Sequence, residues 1–196
     1  MAKQILLIDD APTQVAIFIE AMQAGTHKLQ NTLSIHDDFS SYALATNPDI
    51  LLFNIKKPSA ILFDKIKILA AIRPTAIIVF TQTVHKDDME KAIKAGVNAF
   101  IVDGLRSNRV NAIIEIALAR FKEQQLIKNE LKQARETLEE RKIIERAKGL
   151  LMESRNMSEK EAYQAMRKMA MDQNKKMIEI ANNVLSVMQL LSVNKA

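Results

Sequence analysis

The sequence contains no cysteine and no tryptophan, and aromatic residues make up only 5% of its 196 residues. The lack of cysteine excludes a disulfide framework and any metal site built on thiolates. With so few aromatic rings, a folded core must rest on Ile, Leu, Val, Ala and Met. The apolar fraction of 48% is sufficient for such a core, so wholesale disorder is not expected.

Long apolar runs are also missing. No run approaches the roughly 20 residues that a membrane-spanning helix needs. The amino-terminal stretch MAKQILLIDD has one lysine and a short apolar run that ends in two acids, which indicates a strand and not a signal peptide. We therefore expect a cytoplasmic protein with no membrane partner.

The net charge of +5 is unevenly distributed. Residues 141–196 carry 11 Lys/Arg against 6 Asp/Glu, whereas the first 121 residues are nearly balanced. A small basic domain indicates a polyanionic partner, with nucleic acid as the first candidate. An ordinary solvated surface is the alternative, because runs of charge usually face water.

Short apolar runs alternate with helical patterns in the first part of the chain. The runs are QILLI (4–8), DILLF (49–53), AIIVF (76–80) and AFIV (99–102), with KLQNTLSI (28–35) as a weaker candidate. The segments between them have helical spacing, as at Met89 and Ile93. Continuous apolar runs are typical of parallel strands that are buried on both faces. The pattern predicts an α/β domain over residues 1–121, with a doubly wound parallel sheet of five strands.

In a doubly wound sheet the functional site lies at the carboxyl ends of the strands. Here those ends carry five polar residues, namely Asp9, Asp10, Asn54, Thr81 and Asp103. With these residues the domain resembles a response-regulator receiver, which has a flavodoxin-like fold. The resemblance matches Asp9 and Asp10 to the family's Mg²⁺-binding acids, and Thr81 to its hydroxyl switch residue.

Two positions depart from the receiver pattern. Asn54 stands where the family has its phosphoacceptor aspartate, and Asp103 stands where it has a lysine. A carboxamide is a poor nucleophile and does not form the acyl phosphate that a carboxylate forms. Mg²⁺ needs hard anionic oxygens, so the loss of one carboxylate weakens a cation site. We predict a non-phosphorylatable receiver without a cofactor or bound metal, in which Asp9 and Asp10 leave an acidic pocket with a structural role or a weak hold on a cation.

A long helical pattern begins near Ser107 and contains no proline, and no glycine before Gly149. Four of its apolar residues follow the 4-3-4 spacing of a coiled-coil seam, namely Ile127, Leu131, Ala134 and Leu138. A helix that leaves a compact domain has little of its own chain to pack against. We predict a linking helix over residues 107–140 that forms a dimeric coiled coil, with a solvated amphipathic helix as the alternative.

The last part of the chain has the pattern of a small all-α bundle. Ser158 followed by Glu161 is a capping box that starts a helix. Ala162 and Met166 lie on the apolar face of that helix, and a further helical pattern follows it. Because three short helices form a core only by packing together, we expect a three-helix bundle over residues 137–196.

Basic side chains and one aromatic ring define a candidate nucleic-acid surface in this bundle. Arg141, Lys148 and Arg155 are spaced by seven, which places them in one stripe along a helix. Cations contact phosphates, and tyrosine or arginine stacks on an unpaired base. The full predicted set is Arg141, Lys142, Arg146, Lys148, Arg155, Tyr163, Arg167, Lys168, Lys175 and Lys176.

The same region resembles the ANTAR domain, an RNA-binding antitermination module. The resemblance covers about residues 137–190 and includes the pieces Ala147–Gly149, Leu151–Met152, Ala162–Tyr163 and Ala170–Met171. The family binds paired stem-loops in leader mRNA, which prevents a terminator hairpin from forming. The resemblance implies this activity here, and a homodimer would present two domains to two stem-loops. A glycine inside a helix costs about 1 kcal/mol relative to alanine. We attribute the presence of Gly149 to the close approach of another helix or a ligand.

The whole chain most resembles the nitrate/nitrite-assimilation antiterminators. In these systems an inhibitory ligand-sensing protein, which resembles a periplasmic binding protein, holds the receiver until the inducer releases it. The resemblance implies such a partner here. Two other functions stay open, a DNA-binding response regulator and an adaptor that acts only by protein contact. An enzyme is not expected, since the sequence has no glycine-rich phosphate loop and no serine elbow.

Overall fold

The structure is a computed structural model that describes residues 2–10, 14–103 and 106–193. The chain divides into two compact units, residues 1–125 and 126–196. In chain order the elements are β1 (Gln4–Asp9), α1 (Val15–Ala24), β2 (Lys28–Ser34), α2 (Phe39–Thr46), β3 (Ile50–Ile55), α3 (Ala60–Ile72), β4 (Ala76–Thr81), α4 (Lys86–Lys94), β5 (Ala99–Val102), α5 (Ser107–Arg155), α6 (Glu159–Asp172) and α7 (Met177–Val193). None of the helices in these ranges is long and apolar enough to cross a membrane.

The first unit is built on one sheet with the strand order β2-β1-β3-β4-β5, and every neighbouring pair is parallel. The strands β3 and β4 are buried along their whole length, as is β1 after its first residue. Continuous apolar sequence is required there because helices cover both faces of the sheet. The prediction of five parallel strands is confirmed, including the weaker candidate that forms β2.

Alternate residues of each central strand enter two separate cores. Leu6 and Ile8 belong to a core that α2, α3 and α4 cover. Ile5 and Leu7 belong to a core on the opposite face, which α1 and the first turns of α5 cover. This arrangement is the doubly wound fold that the alternation of strands and helices predicts.

Helix α5 is 49 residues long and has three stretches of different character. Its first turns bury Val110 and Ile114 in the first unit. Every residue from Leu126 to Lys142 is exposed in the single chain. Its last turns bury Ala147 and Leu151 in a helical core. The predicted linking helix over 107–140 is therefore the first part of a longer helix, and its pairing as a coiled coil stays a prediction.

The second unit is the expected helical bundle. Helix α6 begins at a capping box, in which the Ser158 hydroxyl accepts from the Glu161 N–H and the Glu161 carboxylate accepts from the Ser158 N–H. The core of the bundle is formed by Ala147, Leu151, Ala162, Met166, Ile180 and Ala181, from α5, α6 and α7. Gly149 is not needed for this packing, because an added Cβ would meet no atom of the other described residues within 4 Å. The attribution of Gly149 to close approach of another helix of the chain is therefore wrong.

Candidate functional site

The carboxyl edge of the sheet brings the five predicted receiver residues together. Asp9 and Asn54 are direct neighbours across β1 and β3. The Asn54 side-chain amide donates to Asp9 Oδ1 at 2.6 Å, and both side chains are buried. The two positions that define a receiver site are thus joined by one hydrogen bond.

The loops that follow these strands are held by further hydrogen bonds. The Lys56 N–H donates to Asp10 Oδ1 at 3.3 Å. The buried Thr81 hydroxyl lies 2.9 Å from the Thr83 carbonyl oxygen and 3.3 Å from that of Lys56. Asp103 follows β5 in a left-handed conformation, with φ of 56°, and its N–H donates to the Thr81 carbonyl oxygen at 2.8 Å. The Thr81 hydroxyl is therefore directed at backbone carbonyl groups of the adjoining loops.

This arrangement does not fit the Mg²⁺ ion that the receiver resemblance implies. The nitrogen of the Asn54 amide, and not its oxygen, faces the Asp9 carboxylate. A cation between the two side chains would meet an N–H donor in place of a hard anionic oxygen. Within the described ranges, no three His, Cys, Asp or Glu side chains are grouped so that they would hold a metal ion.

Lys148 lies inside the helical unit and links α5 to α6. Its Nζ is 2.8 Å from Glu145 Oε2 and 2.7 Å from Glu159 Oε1, and the residue is only 6% exposed. The hydrogen bonds to Glu145 and Glu159 raise the pKa of Lys148, and the bond from Lys148 lowers the pKa of Glu159. The ammonium group of Lys148 is thus engaged within the unit, which argues against direct RNA contact, and its role in RNA binding stays a prediction. The two ends of the predicted stripe, Arg141 and Arg155, are exposed.

A groove between α6 and the start of α7 collects four of the other predicted residues. Tyr163 and Arg167 lie one helical turn apart on α6, and Tyr163 is 44% exposed. Asn174 lies in the turn after α6 in a left-handed conformation, with φ of 50°, which asparagine tolerates better than most residues. The turn at Asn174 places Lys175 and Lys176 along the same groove. The groove therefore combines one aromatic ring with three cations and one acid, Glu179.

The remaining predicted basic residues are exposed but lie outside this groove. They are Arg141, Lys142, Arg146, Arg155 and Lys168. Lys142 Nζ lies 2.7 Å from Glu139 Oε1. Because both side chains are exposed, this ion pair adds little stability.

The predicted seam on α5 is solvent-exposed in the single chain. Ile127 is 58% exposed, Leu131 is 50% exposed and Leu138 is 57% exposed. Ala134, which completes the seam, is exposed as well. Apolar side chains at this spacing on a bare helix favour contact with a second helix.

Comparison with known proteins places these features in a family. The ANTAR domain matches residues 132–185. The chain is 33% identical over 141 residues to the transcriptional regulatory protein PdtaR of Mycobacterium tuberculosis, an alignment that covers 72% of this chain and 69% of PdtaR. This chain belongs to the family of ANTAR-domain transcriptional regulators.

Two other similarities each cover one part of this ANTAR-domain regulator. The nitrate regulatory protein of Klebsiella oxytoca is 48% identical over 71 residues, which are 36% of this chain but only 18% of that protein. The signal receiver domain of a modulated diguanylate cyclase from Desulfovibrio desulfuricans G20 superposes with a TM-score of 0.55 at 17% identity. That superposition covers 63% of this chain and 99% of the receiver chain. It establishes a receiver-like fold for the first unit.

The ANTAR domain also contains groove residues that sequence reasoning missed. Met171 and Asn174 line the groove, and Met171 is 72% exposed. The signal was present in the periodicity, since Met171 is out of phase with the buried face formed by Ala162 and Met166. Met171 has neither a charge nor an aromatic ring, so its sequence alone does not mark it as a nucleic-acid contact.

Proposed function

We propose that this protein is a transcription antiterminator that binds stem-loops in leader mRNA through its ANTAR domain. The observation that carries the proposal is the groove that combines Tyr163 and Arg167 with Lys175 and Lys176. An unpaired loop base stacks on the exposed tyrosine ring while the cations contact the loop phosphates. Binding holds the stem-loops in place, so that the terminator hairpin does not form and transcription continues.

An RNA loop suits this groove better than duplex DNA. Sequence-specific RNA recognition works on unstacked bases in loops, which offer a free face to an aromatic ring. The bases of a duplex are stacked on one another and present only their edges. The exposed ring of Tyr163 would have no partner in a regular duplex.

Dimerisation through the α5 seam is part of the proposal. It is supported by the exposure of Ile127, Leu131 and Leu138 on a helix stretch whose residues are all exposed from Leu126 to Lys142. Two ANTAR domains in one dimer engage two stem-loops of the same transcript. The second contact is then intramolecular, so that each domain needs only modest affinity.

The receiver domain acts in this scheme as a protein-binding platform and not as a phosphorylation switch. This view is supported by the Asn54 amide, which occupies the phosphoacceptor position and donates to Asp9. A ligand-sensing protein resembling a periplasmic binding protein holds the free regulator, and the inducer releases it. The mechanism needs no catalytic activity, and it operates in the cytoplasm, where leader transcripts are made.

The target genes in the proposal are those for nitrate and nitrite assimilation. Support comes from the 48% identity over 71 residues to the nitrate regulatory protein of Klebsiella oxytoca. Since only 18% of that protein is matched, the inducer has to be tested independently.

The deciding experiment is a gel shift of the full chain on a leader RNA from the host's nitrate-assimilation genes. The controls are the same RNA with both loop sequences changed and a DNA duplex of the same sequence. We expect binding to the native RNA alone, with an affinity that falls steeply as salt rises. Equal binding to the duplex would favour a DNA-binding response regulator, and binding to neither nucleic acid would favour a protein-only adaptor.

A further inference from the structure

Helix α3 presents a row of isoleucines to solvent on the face that its own domain does not use. Ile61 is 71% exposed, Ile68 is 62% exposed and Ile72 is 64% exposed. With Lys65 they follow a 4-3-4 spacing, so all four residues lie on one side of the helix. The opposite side carries Leu62, Phe63, Ile66 and Leu69 and is fully packed in the domain core. We name the four exposed residues Ile61, Lys65, Ile68 and Ile72 the α3 stripe.

We propose that the α3 stripe is the docking surface for a partner protein that presents an apolar ridge flanked by carboxylates. The inference rests on the proposed function, in which a ligand-sensing protein holds the receiver domain, and it names the surface that this protein occupies. Three exposed isoleucines on one side of a helix, with Lys65 between the first two, form a patch of the kind found at interaction surfaces, whereas scattered single apolar residues do not.

The charges beside the stripe define the chemistry of the partner. A depression between α2 and α3 is lined by Lys57 and Lys65, next to Ile61, with Asp10 as its one acid. A groove between α3 and α4 is lined by three lysines, Lys67, Lys91 and Lys94, with Asp64 as the one acid. In the lining of each depression the lysines therefore outnumber the acids. Carboxylates on either side of an apolar ridge would complement this pattern.

The same charges argue against a second copy of this chain as the occupant. In a two-fold symmetric contact the α3 stripe of one copy faces the α3 stripe of the other. The lysines beside one stripe would then face either the lysines or the isoleucines of the second copy. Like charges placed opposite one another across an interface are unfavourable. RNA is a poorer occupant as well, because isoleucines at the centre of the patch offer neither charge nor an aromatic face to a nucleotide.

The first step of the test identifies what occupies the stripe. A photoreactive benzoylphenylalanine is placed in the full chain at position 68 or, as a control, at position 116, and irradiated in the native host without inducer. Ile116 is 54% exposed and lies on α5, whose first turns pack on the opposite face of the sheet. We expect a protein adduct from position 68 and none from position 116, and mass spectrometry of the adduct names the protein.

The second step uses that protein, purified, in calorimetric titrations with the full chain. The combined change Ile61→Ala, Ile68→Ala and Ile72→Ala should weaken binding by at least about tenfold. The charge reversal Lys65→Glu with Lys67→Glu should weaken binding and reduce its dependence on salt. Ile116→Ala is the matched control and should bind like the unchanged chain. Circular dichroism confirms that each variant is folded, and every variant should keep its affinity for leader RNA.

The outcomes separate this inference from the proposed function. If the partner protein binds the stripe variants as tightly as the unchanged chain, the α3 stripe is not its docking surface. Control of the regulator by that partner would still be supported. An adduct at position 68 that contains RNA, or a second copy of this chain, also overturns it. If no protein binds the unchanged chain, both the docking surface and the partner are overturned, while RNA binding is unaffected.

Discussion

The side-chain amide nitrogen of Asn54 lies 2.6 Å from Asp9 Oδ1, in a site where both residues are buried. Two carboxylates at this separation would repel one another and would need a shared proton or a cation between them. The amide of Asn54 supplies an N–H donor instead. The ends of β1 and β3 are therefore joined directly, at the place where a receiver domain would carry out its phosphoryl chemistry.

Replacing this amide by a carboxylate should destabilise the domain and create a need for a cation. We expect Asn54→Asp to lower the free energy of unfolding by about 2–3 kcal/mol, because it removes a buried hydrogen bond and sets a charge beside Asp9 and Asp10. Millimolar MgCl₂ should restore part of the loss, since the site then offers three carboxylates. Urea unfolding with and without MgCl₂ measures both effects.

The control for this prediction is Asn54→Ala, which loses the hydrogen bond without adding charge. It should be destabilised without any response to MgCl₂.

Acetyl phosphate should leave the unchanged chain unmodified, as judged by intact mass. A phosphorylated species that Asn54→Ala abolishes would contradict the view that the receiver is not a phosphorylation switch.

The ion pairs of Lys148 should contribute to stability and not to RNA affinity. Lys148→Met keeps the buried alkyl stem but removes the ammonium group that links Glu145 to Glu159. We expect the melting temperature of the helical unit to fall by a few degrees, while the affinity for leader RNA stays within about twofold. A large loss of RNA affinity in a folded Lys148→Met protein would restore Lys148 to the RNA-contacting set.

The stability that Lys148 provides should depend on pH at both ends of the range. The pKa of Glu159 is lowered from 4.5. The stability that ionised Glu159 contributes to the folded unit is therefore complete above pH 4.5 and is lost as pH falls through the lowered value. Because the pKa of Lys148 is raised from 10.5, its contribution is present below pH 10.5 and is lost as pH rises through the raised value. The difference in melting temperature between the unchanged chain and Lys148→Met should therefore shrink towards both extremes. A difference that stays constant with pH would show that the ion pairs contribute nothing.

The sequence predicts the elements of this protein well and their buried faces less well. The continuous runs of β1, β3 and β4 identify the central strands because both faces of the sheet are covered. In α4 the apolar pair Met89 and Ile93 signals a helix correctly, yet Met89 is 48% exposed and Ile93 is 70% exposed, whereas Ala92 and Ala95 are buried. Close packing of α4 on its domain selects the small residues, and periodicity alone does not reveal that choice.

The candidate RNA surface shows the same limit. The spacing of seven places Lys148 on one side of α5 with Arg141 and Arg155, but it contains no information about which residues α6 covers. Glu159 comes from α6, and only the packed bundle brings it to Lys148. Lys175 and Lys176 join Tyr163 through a turn at Asn174, which is likewise a property of the folded chain.

The groove of the ANTAR domain should account for most of the RNA affinity. Tyr163→Ala removes a stacking ring and should weaken binding by about 1–3 kcal/mol, which is roughly five- to 150-fold. Arg167→Ala should weaken binding and reduce the slope of log affinity against log salt by about 1. Filter binding of a leader RNA over a salt series measures affinity and slope together.

The matched controls for the groove are its own neighbours. Lys168→Ala removes the same charge as Arg167→Ala, one residue further along α6 and outside the groove, and it should have the smaller effect. Tyr163→Phe keeps the ring and should keep most of the affinity. If Lys168→Ala proves as damaging as Arg167→Ala, RNA lies across a wider face of the bundle than the groove.

The seam on α5 should determine the oligomeric state. Leu131→Lys with Leu138→Lys places two charges in the predicted contact and should give monomers with weaker antitermination, as seen by analytical ultracentrifugation and a reporter. The control is Gln133→Lys with Glu140→Lys, which has the same spacing on the opposite side of the helix and should leave the dimer intact. An unchanged sedimentation coefficient in the seam variant would remove the coiled coil from the proposal.

Replacing Gly149 should show whether this glycine is required by the fold or by contact with RNA. Among the described residues, an added Cβ would meet no atom within 4 Å outside the neighbouring backbone of α5, so the packing there does not oppose an alanine. Gly149→Ala should therefore stabilise the helical unit by about 1 kcal/mol, because alanine restricts the unfolded chain and favours the helix. Lower RNA affinity in this more stable variant would mean that the nucleic acid approaches α5 at Gly149, next to the exposed Arg146. Unchanged affinity would confine the RNA contact to other faces, with the groove between α6 and α7 as the principal one.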